Sequence, residues 1–416
     1  MKVRFEKSTA CGIAAAPPSK SMAHRLLLGA GLTTGVCEIK NVPASEDIAA
    51  TLECLKRLKE DSGFLPVRES ASTMRFLIPV CWALGKHVVF SGEKRLFSRP
   101  LDIYEEIAER ERFLFKKGQN MLETAGKMRP GTYSVRGDIS SQFITGLLFA
   151  LPLLEGDSKI EILPPLVSRP YIEMTMQALR MFHVETWWED FTQTGALSAA
   201  GPRGALSAAG HAPQSPLVIR VPGRQTYQPC TAFVEGDWSQ AAVLEAFNLA
   251  AESHGETAGK VTVTGLDPDS LQGDKACRVF FEQMKQGFSV IDLTDTPDLG
   301  PILFAAAALL HGGRFTGTAR LQHKESHRVK AMQEELSKFG ISTEDHGDVF
   351  VVLPGRLKKP TRMPDSHNDH RVAMASSVLL SVTGGTLTGA EAVNKSFPDF
   401  FELIASLGIK ITISEK

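Results

Sequence analysis

The sequence predicts an α/β protein with two large domains. Short β-branched runs alternate with helical periodicity along the whole chain, which favours the α/β class. One unit also recurs at 140–163, 238–265 and 297–317: a loop rich in Ser or Thr, an apolar helix, a small-residue turn and a short strand. A length of 416 residues exceeds what one simple core usually holds, so two domains are expected.

Each predicted element follows from its local pattern. The runs predicted as strands are 37–42, 87–90, 159–163, 217–221, 260–265, 348–353 and 410–413. The segments predicted as helices are 48–60, 172–182, 239–253, 328–340 and 370–381. Crossings between domains are expected near Pro17-Pro18 and 228–234. The segment GALSAAG occurs at 195–201 and again at 204–210, and its small residues without an apolar face predict a surface loop.

Composition excludes several classes of partner. The 46 Lys and Arg residues nearly cancel the 47 Asp and Glu residues, which gives no general attraction to nucleic acid or anionic membranes. The six cysteines form no CxxC or zinc-like spacing and are expected to be reduced thiols. The N-terminus has no apolar signal segment, and the stretch 143–154 is too short to span a membrane. We therefore expect a cytoplasmic protein. We also expect it to be a monomer.

Hydroxyl residues and cations cluster where apolar helices are predicted to begin. The segments concerned are PPSKSMAHR (17–25), RESASTMRFLIP (68–79), GEKRLFSRP (92–100), GDISSQFITGLL (137–148) and VSRPYIEMT (167–175). Free N–H groups and the helix dipole favour an anion at such positions. Arg99 precedes Pro100, and an extended arginine suits a guanidinium fork for carboxylate or phosphate. Each segment alone is also typical of a capped helix with solvated charges, but together they indicate anion binding.

Acid–base candidates lie in the C-terminal half. Asp298 stands before the apolar helix of TPDLGPILFAAAALL, where it is either a catalytic group or a helix cap. HKESHR (323–328), HNDHR (367–371) and NKSFPDFF (394–401) add further charges. Two histidines in HNDHR lack a suitably spaced third ligand, so we predict no metal. GxxxxGK[ST], strand-linked GxGxxG and GxSxG motifs are missing, so no nucleotide site or serine nucleophile is indicated.

Taken together and in order, these motifs resemble the enolpyruvyl transferase family, in particular the members that act on shikimate 3-phosphate. The matching segments are PPSKSMAHR, STMRFL, RLFSRP, GDISSQF, VSRPYI, VEGDWSQAA, LQGD, TPD, KESHR, NDHR and KSFPDFF. The resemblance implies transfer of the enolpyruvyl group of phosphoenolpyruvate to the 5-hydroxyl of shikimate 3-phosphate. The implied reaction is addition–elimination through a tetrahedral intermediate, with release of phosphate and without a cofactor.

The same resemblance implies a two-lobed fold, an inside-out α/β barrel with buried helices. Each lobe would consist of three βαβαββ units. One lobe would be discontinuous, comprising residues 1–18 and 232–416, and would carry the acid–base and phosphoenolpyruvate groups. The inserted lobe, residues 19–231, would make most contacts to shikimate 3-phosphate.

The resemblance also implies roles for individual residues. Those expected to bind shikimate 3-phosphate are Lys20, Ser21, Arg25, Ser140, Ser141, Gln142, Ser168, Tyr171, Asp298 and Lys324. Those expected at phosphoenolpyruvate are Lys20, Ala71, Arg99, Gln142, Arg328, Arg371 and Lys395. The catalytic candidates are Asp298, Glu325, Lys20 and Lys324. Glu325 or Lys324 would be the acid, and Asp298 or Lys20 the base.

Four positions depart from the common family pattern. Glu69 replaces an asparagine, His327 replaces an aspartate, and Arg320 lies where a substrate-binding asparagine is often found. Ala71 stands where many members have glycine. Its extra methyl group predicts reduced sensitivity to glyphosate, because overpacking weakens binding.

Two alternative functions agree with fewer features of the sequence. UDP-N-acetylglucosamine enolpyruvyl transferases have Lys-Asn where this chain has Lys20-Ser21, and a reactive cysteine in a mobile loop. The corresponding loop here, 92–99, has no cysteine. A non-catalytic phosphometabolite-binding protein would be consistent with the departures at Glu69, Arg320 and His327.

Overall fold

A computed structural model describes residues 1–189, 215–255 and 260–414. The two GALSAAG segments lie outside the described residues. Strands and helices alternate along the chain, so the predicted α/β class is confirmed. Every run predicted as a strand and every segment predicted as a helix contains an element of that type, with ends shifted by a few residues.

The elements are numbered in chain order. The strands are β1 (Lys2–Phe5), β2 (Gly12–Ala15), β3 (Glu38–Lys40), β4 (Phe64–Arg68), β5 (His87–Gly92), β6 (Leu114–Lys117), β7 (Met121–Ala125), β8 (Thr132–Arg136), β9 (Ser158–Leu163), β10 (Trp187–Trp188), β11 (Leu217–Val221), β12 (Thr231–Phe233), β13 (Val261–Thr264), β14 (Ser289–Asp292), β15 (Gly313–Thr316), β16 (Thr343–Asp345), β17 (Val349–Val352), β18 (Gly385–Thr388) and β19 (Ile411–Ser414). The helices are α1 (Lys20–Leu32), α2 (Glu46–Lys59), α3 (Ala71–Ala83), α4 (Lys94–Phe97), α5 (Asp102–Glu111), α6 (Ser141–Ala150), α7 (Arg169–Met181), α8 (Trp238–Glu252), α9 (Cys277–Lys285), α10 (Gly300–Leu309), α11 (Arg328–Lys338), α12 (His370–Thr383) and α13 (Phe400–Ser406).

Three four-stranded sheets repeat one βαβαββ pattern. Their strand orders are β4-β5-β7-β6, β8-β9-β11-β10 and β14-β15-β17-β16. In each, the first two strands are parallel and the last two pair antiparallel. A fourth sheet, β18-β1-β19, follows α12 and α13 and places the N-terminal strand between two C-terminal ones.

The two remaining units are built around α1 and α8. In each, the strand before the helix pairs with the strand that follows the other helix. β2 leads into α1 but pairs with β13, which follows α8; β12 leads into α8 but pairs with β3, which follows α1. Hydrogen bonds join the two crossing segments directly: Ser19 N donates to Glu235 O (2.7 Å) and Asp237 N donates to Pro17 O (2.8 Å). The segments 17–19 and 235–237 therefore run side by side.

Two separate hydrophobic cores define what we call the first and second lobes. The core of the first lobe takes its buried residues from the span between Met22 and Val234. The core of the second lobe takes them from Val3–Ala14 and Trp238–Ile409. Ala232 and Val234, which lie beyond residue 231, pack in the first core. The division into 1–18 plus 232–416 and 19–231 stays a prediction.

Some helices lie wholly in the interior, whereas the sheets face the surface. Every residue of α10 and α12 is buried, whereas β8 alternates buried and exposed residues along its length. A helix that is apolar all round is stable only inside a core, while an alternating strand suits a surface sheet. Within the described ranges, no helix has the length and apolar character needed to cross a membrane.

Candidate active site

The apolar helices begin at the hydroxyl and acidic residues that the sequence indicated. Ser19 caps α1, Ser70 caps α3 and Ser140 caps α6, each accepting a hydrogen bond from a first-turn N–H. Asp369 caps α12 by accepting from Arg371 N (2.9 Å). One side-chain cap satisfies one of four free N–H groups, so these helix starts keep a favourable field for anions.

The helix starts converge on a cavity between the two lobes. Of the predicted site residues, those that line it are Lys20, Ser21, Arg25, Ala71, Arg99, Ser140, Ser141, Gln142, Ser168, Tyr171, Asp298, Lys324, Glu325 and Arg328. The structure thus brings together residues from distant parts of the sequence. It does not bring Arg371 or Lys395 to the lining.

The lining has a marked excess of positive charge. It contains seven cationic side chains, Lys20, Arg25, Arg75, Arg99, Arg320, Lys324 and Arg328, against three carboxylates, Asp47, Asp298 and Glu325, which leaves a net charge of about +4. Burial lowers the pKa of His24 and of His370 to about 3, so both are neutral at physiological pH. Such a cavity favours ligands with several negative charges.

Asp298 lies at the centre of the cations of the second lobe. It accepts from Arg328 Nη1 (2.8 Å) and Lys324 Nζ (3.1 Å), and Tyr171 Oη of the first lobe donates to it (3.3 Å). Burial opposes its ionisation, but Lys324, Arg328 and Arg371 hold its pKa well below the ordinary value. Burial lowers the pKa of Lys324. Asp298 makes no capping bond to α10, so the alternative of a simple helix cap is not what the structure shows.

Glu325 is bound by arginines from both lobes. Arg328 Nη2 donates to it (2.8 Å), and Arg99 Nη1 of the first lobe lies 4.0 Å from it. Burial raises the pKa of Glu325, but Arg328 and Arg99 outweigh burial and hold it well below the ordinary value. Arg328 is almost fully buried and also donates through Nε to Asp369 (2.9 Å). The carboxylate of Glu325 is therefore ionised at neutral pH.

Lys20 has a carboxylate partner that the sequence interpretation missed. Its Nζ lies 2.8 Å from Asp47 Oδ2. Burial opposes the charge on Lys20, but Asp47 and Glu325 outweigh burial and raise the pKa of the ammonium. Asp47 is in the first turn of α2, where an acid is ordinarily explained by the helix dipole. The sequence held no signal that this carboxylate points into the cavity.

The first lobe supplies a set of fixed polar groups. Arg25 donates to Thr175 Oγ1 (2.9 Å), Ser21 O (2.6 Å) and Tyr171 O (2.9 Å). Gln142 accepts from Arg75 Nη1 (2.8 Å) and donates to Ser72 Oγ (2.9 Å). These bonds hold the side chains in one orientation before any ligand enters.

Arg371 and Lys395 lie just outside the lining. Arg371 Nη2 is 3.9 Å from Asp298 Oδ2, and its Nε and Nη1 are buried without a hydrogen-bond partner in the described part of the chain. Lys395 Nζ bonds to Glu69 Oε2 (2.6 Å) and Asn368 O (2.8 Å). The residue that replaces the common asparagine therefore holds one of the predicted phosphoenolpyruvate ligands.

Two further lining residues were not predicted as ligands. Arg320 donates through Nη2 to Ser168 Oγ, and His323 lies beside Arg75 and Arg99. Both belong to the 3₁₀ turn Ala319–His323 before Lys324, where sequence periodicity gives no orientation. Across residues 1–189, 215–255 and 260–414, no three His, Cys, Asp or Glu side chains are grouped as metal ligands.

Comparison with known proteins gives a consistent result. The family model described as EPSP synthase (3-phosphoshikimate 1-carboxyvinyltransferase) matches residues 7–65, 59–194 and 210–404. A 3-phosphoshikimate 1-carboxyvinyltransferase of Clostridium kluyveri is 37% identical, covering 95% of this chain and 94% of the relative. One from Brachyspira hyodysenteriae is 32% identical, covering 94% and 95%.

Solved structures share the fold. EPSP synthase from Acinetobacter baumannii superposes with a TM-score of 0.73 at 20% identity over the full length of both chains. The enolpyruvyl transferase NikO from Streptomyces tendae gives a TM-score of 0.67 at 14% identity, covering 99% of this chain and 98% of that one. The predicted two-lobed enolpyruvyl transferase fold is confirmed, and the chain belongs to the EPSP synthase (3-phosphoshikimate 1-carboxyvinyltransferase) family.

Proposed function

We propose that this chain transfers the enolpyruvyl group of phosphoenolpyruvate to the 5-hydroxyl of shikimate 3-phosphate and releases phosphate. The family and the relatives that match this chain over nearly its full length are named 3-phosphoshikimate 1-carboxyvinyltransferase, after that reaction. The observation that supports it most directly is the cavity between the lobes, where seven cations outnumber three carboxylates. Two substrates that each carry several negative charges need such an excess.

The cations of the cavity must offset the repulsion between the two anionic substrates. Two unit charges at about 4 Å repel by about 4 kcal/mol where the effective dielectric constant is near 20. Groups fixed in advance can neutralise both substrates and hold them at attack distance without reorganising. The bonds of Arg25 and Gln142 to their own lobe provide that fixation.

The protonation states favour Asp298 as the base. Its pKa lies well below the ordinary value, so it is an ionised acceptor at neutral pH, beside Lys324 and Tyr171. Lys20, the other candidate, has a raised pKa and stays an ammonium paired with Asp47. We therefore assign removal of the 5-hydroxyl proton to Asp298, and charge neutralisation to Lys20.

Glu325 and Lys324 are the two candidates for protonating the methylene carbon of phosphoenolpyruvate. The two side chains differ in their protonation state at neutral pH. Glu325 is ionised and must first gain a proton, which becomes easier once anionic substrates share the charge of Arg99 and Arg328. Lys324 already carries a proton and has a lowered pKa, so it is a stronger acid than an ordinary lysine. The hydroxyl oxygen then adds to C2, which gives a tetrahedral intermediate with a methyl group. In the elimination, the C2–O bond to phosphate breaks while the group that donated the proton takes one back from the methyl carbon, giving the enol ether and phosphate.

The deciding experiment is a coupled phosphate-release assay with both substrates. We expect phosphate release only when shikimate 3-phosphate and phosphoenolpyruvate are present together, and its loss in Asp298→Ala. Turnover with UDP-N-acetylglucosamine as the acceptor would instead support the related transferase. Tight binding of shikimate 3-phosphate without any phosphate release would support the non-catalytic alternative.

We further propose that the enzyme acts as a cytoplasmic monomer without a metal or organic cofactor. The charge groups required by the proposed reaction all come from one chain. Light scattering coupled to gel filtration measures the oligomeric state, and activity after treatment with EDTA tests the independence from metals.

A further inference from the structure

Two cysteines lie opposite each other in the two-stranded sheet of β3 and β12. Cys37 directly precedes β3, and Cys230 directly precedes β12. The strands are parallel with Glu38 opposite Thr231, and Glu38 N donates to Cys230 O (3.1 Å). The same register, continued by one position, places Cys37 opposite Cys230.

The register also places the two thiols on the same face of the sheet. Ile39 lies opposite Ala232. Because side chains alternate between the faces of a strand, the cysteines two positions earlier share the face of this pair. All four residues pack on the core of the first lobe. Neighbouring strands are about 4.8 Å apart, and the Cα atoms of a disulfide are usually about 4.4–6.8 Å apart, so the backbone suits a disulfide at this position.

The segments that carry the two cysteines are in close contact. Gly35 packs so tightly against Pro229 that a Cβ atom at this glycine would lie 2.2 Å from Pro229 Cγ. On the other side, Thr33 Oγ1 lies 3.5 Å from Cys37 Sγ. Burial and the adjacent Cys37 thiol raise the pKa of Cys230, so Cys230 is a neutral thiol at neutral pH.

The two thiols are also accessible to solvent. Cys37 and Cys230 are each partly exposed, whereas Cys54, Cys81 and Cys277 are buried. A thiol must be both accessible and close to its partner if it is to exchange with a small disulfide from solution. Cys37 and Cys230 meet both conditions.

We propose that Cys37 and Cys230 are a reversible redox site that closes to a disulfide in the presence of a small disulfide oxidant such as oxidised glutathione. In the first step, the thiolate of one cysteine attacks a sulfur of the oxidant, which forms a mixed disulfide and releases one glutathione thiolate. The thiolate of the second cysteine then displaces the other glutathione. The cysteines lose two electrons and two protons, and the two glutathione thiols that are released carry them.

The disulfide stabilises the first lobe. All elements from β3 to β11 lie between the two cysteines in the chain, so the bond closes them into one covalent loop. Such a cross-link lowers the entropy of the unfolded chain, and the effect grows with the length of the loop. Neither cysteine lines the cavity between the lobes. The redox site is therefore separate from the site of the proposed transfer reaction.

The test follows the thiols of the full chain in mixtures of oxidised and reduced glutathione. Wild type is compared with Cys37→Ser, Cys230→Ser and a control, Cys11→Ser, which removes an exposed thiol next to β2. After alkylation of the free thiols, mass spectrometry of proteolytic peptides identifies any cross-link. Thermal unfolding of the oxidised and reduced proteins measures stability.

We expect the peptides that contain Cys37 and Cys230 to be joined in oxidised wild type and Cys11→Ser, and to separate again after treatment with dithiothreitol. In Cys37→Ser and Cys230→Ser, the remaining thiol of the pair should carry glutathione instead. Oxidation should raise the thermal unfolding midpoint of wild type by about 5–10 °C, and that of the two single variants by less than about 1 °C.

Glutathione on Cys37 or Cys230 of wild type without a bond between the two cysteines would overturn the proposal, because the thiols would then be unable to meet. A lack of reaction at both positions while Cys11 accepts glutathione would overturn it as well. A cross-link without any rise in the unfolding midpoint would refute the stabilising role. Because none of these measurements needs turnover, the result does not depend on the proposed function.

Discussion

Glu69 and Lys395 form an ion pair of 2.6 Å that connects the two lobes. Glu69 immediately precedes Ser70, the cap of α3 in the first lobe, and Lys395 ends the 3₁₀ segment Ala390–Lys395 of the second. Lys395 is only 7% exposed at its side chain, and Asn368 contacts both partners. The pair therefore holds a predicted substrate ligand away from the cavity lining.

The first prediction concerns this pair. If Lys395 is a ligand of phosphoenolpyruvate, Glu69 competes with the substrate for its ammonium. We expect Glu69→Gln to lower KM for phosphoenolpyruvate by about twofold to fivefold, since partly exposed ion pairs contribute about 0.2–1 kcal/mol. Steady-state kinetics measure the change, and Glu106→Gln, which removes an exposed glutamate of α5, is the matched control. An unchanged or raised KM would remove Lys395 from the list of ligands.

The second prediction concerns Arg371. Its Nε and Nη1 are buried without hydrogen-bond partners in the described residues, and its Nη2 lies 3.9 Å from Asp298 Oδ2. We expect Arg371→Gln to raise KM for phosphoenolpyruvate by about tenfold to a hundredfold, with a much smaller change in KM for shikimate 3-phosphate. The control is Arg356→Gln, at an exposed position. A similar rise in both KM values would indicate that Arg371 stabilises the cavity as a whole rather than one substrate.

The local sequence pattern was sufficient to predict much of the fold and the site residues that lie at the N-termini of helices. Ser19, Ser70 and Ser140 sit before apolar helices, and a cap forms from residues within three positions. The strands were found where β-branched residues were continuous. Short strands of ordinary composition, such as β12, could not be recognised because they are defined by a distant partner, here β3.

Apart from the Lys20–Asp47 pair within the first lobe, the part of the site that sequence reasoning missed depends on contacts between lobes. Glu69 and Lys395 are 326 positions apart, and Arg320 and Ser168 are 152 apart. No local periodicity specifies such pairs. The resemblance to a family located Lys395 and Arg320, but the departures at Glu69 and Arg320 change their partners, and only the three-dimensional structure shows how.

The third prediction concerns Ala71, the first residue of α3. It is 5% exposed and lines the cavity beside Ser72 and Arg75. Removing its methyl group should create room for glyphosate, a slightly longer anion than phosphoenolpyruvate. We expect the inhibition constant for glyphosate to fall by about tenfold to a hundredfold in Ala71→Gly. Inhibition assays at fixed phosphoenolpyruvate measure it. Identical inhibition of the two proteins would show that this methyl group does not limit entry.

The fourth prediction uses the lowered pKa of Lys324. If its ammonium donates the proton, activity requires the protonated form and is lost as pH rises through a pKa below the ordinary 10.5. Arginine keeps its proton far into the alkaline range. We therefore expect the alkaline limb of the kcat profile to move to higher pH in Lys324→Arg, with a reduced maximum. A limb at the same pH in both proteins would exclude Lys324 as the donor and leave Glu325.

The fifth prediction concerns the pH dependence of stability. His367 Nε2 lies 2.7 Å from Glu335 Oε1, and the fully buried Glu335 also pairs with Lys338 (2.7 Å). The hydrogen bond to Glu335 raises the pKa of His367 above its ordinary 6.5. A histidine with a raised pKa in the folded state stabilises it fully below the unfolded pKa, and that stability disappears as pH rises through the folded pKa.

Wild type should accordingly lose stability between about pH 6 and about pH 9, and His367→Gln should lose less across the same window while being less stable at the acidic end. Urea unfolding midpoints at both pH values measure the difference. His346→Gln is the matched control, because its partner Glu344 is exposed and so is the histidine. Other groups also titrate in this range, so the decisive quantity is the difference in the pH dependence of the unfolding midpoint between wild type and His367→Gln. If the two midpoints change in parallel with pH, the charge of His367 beside Glu335 does not contribute to stability.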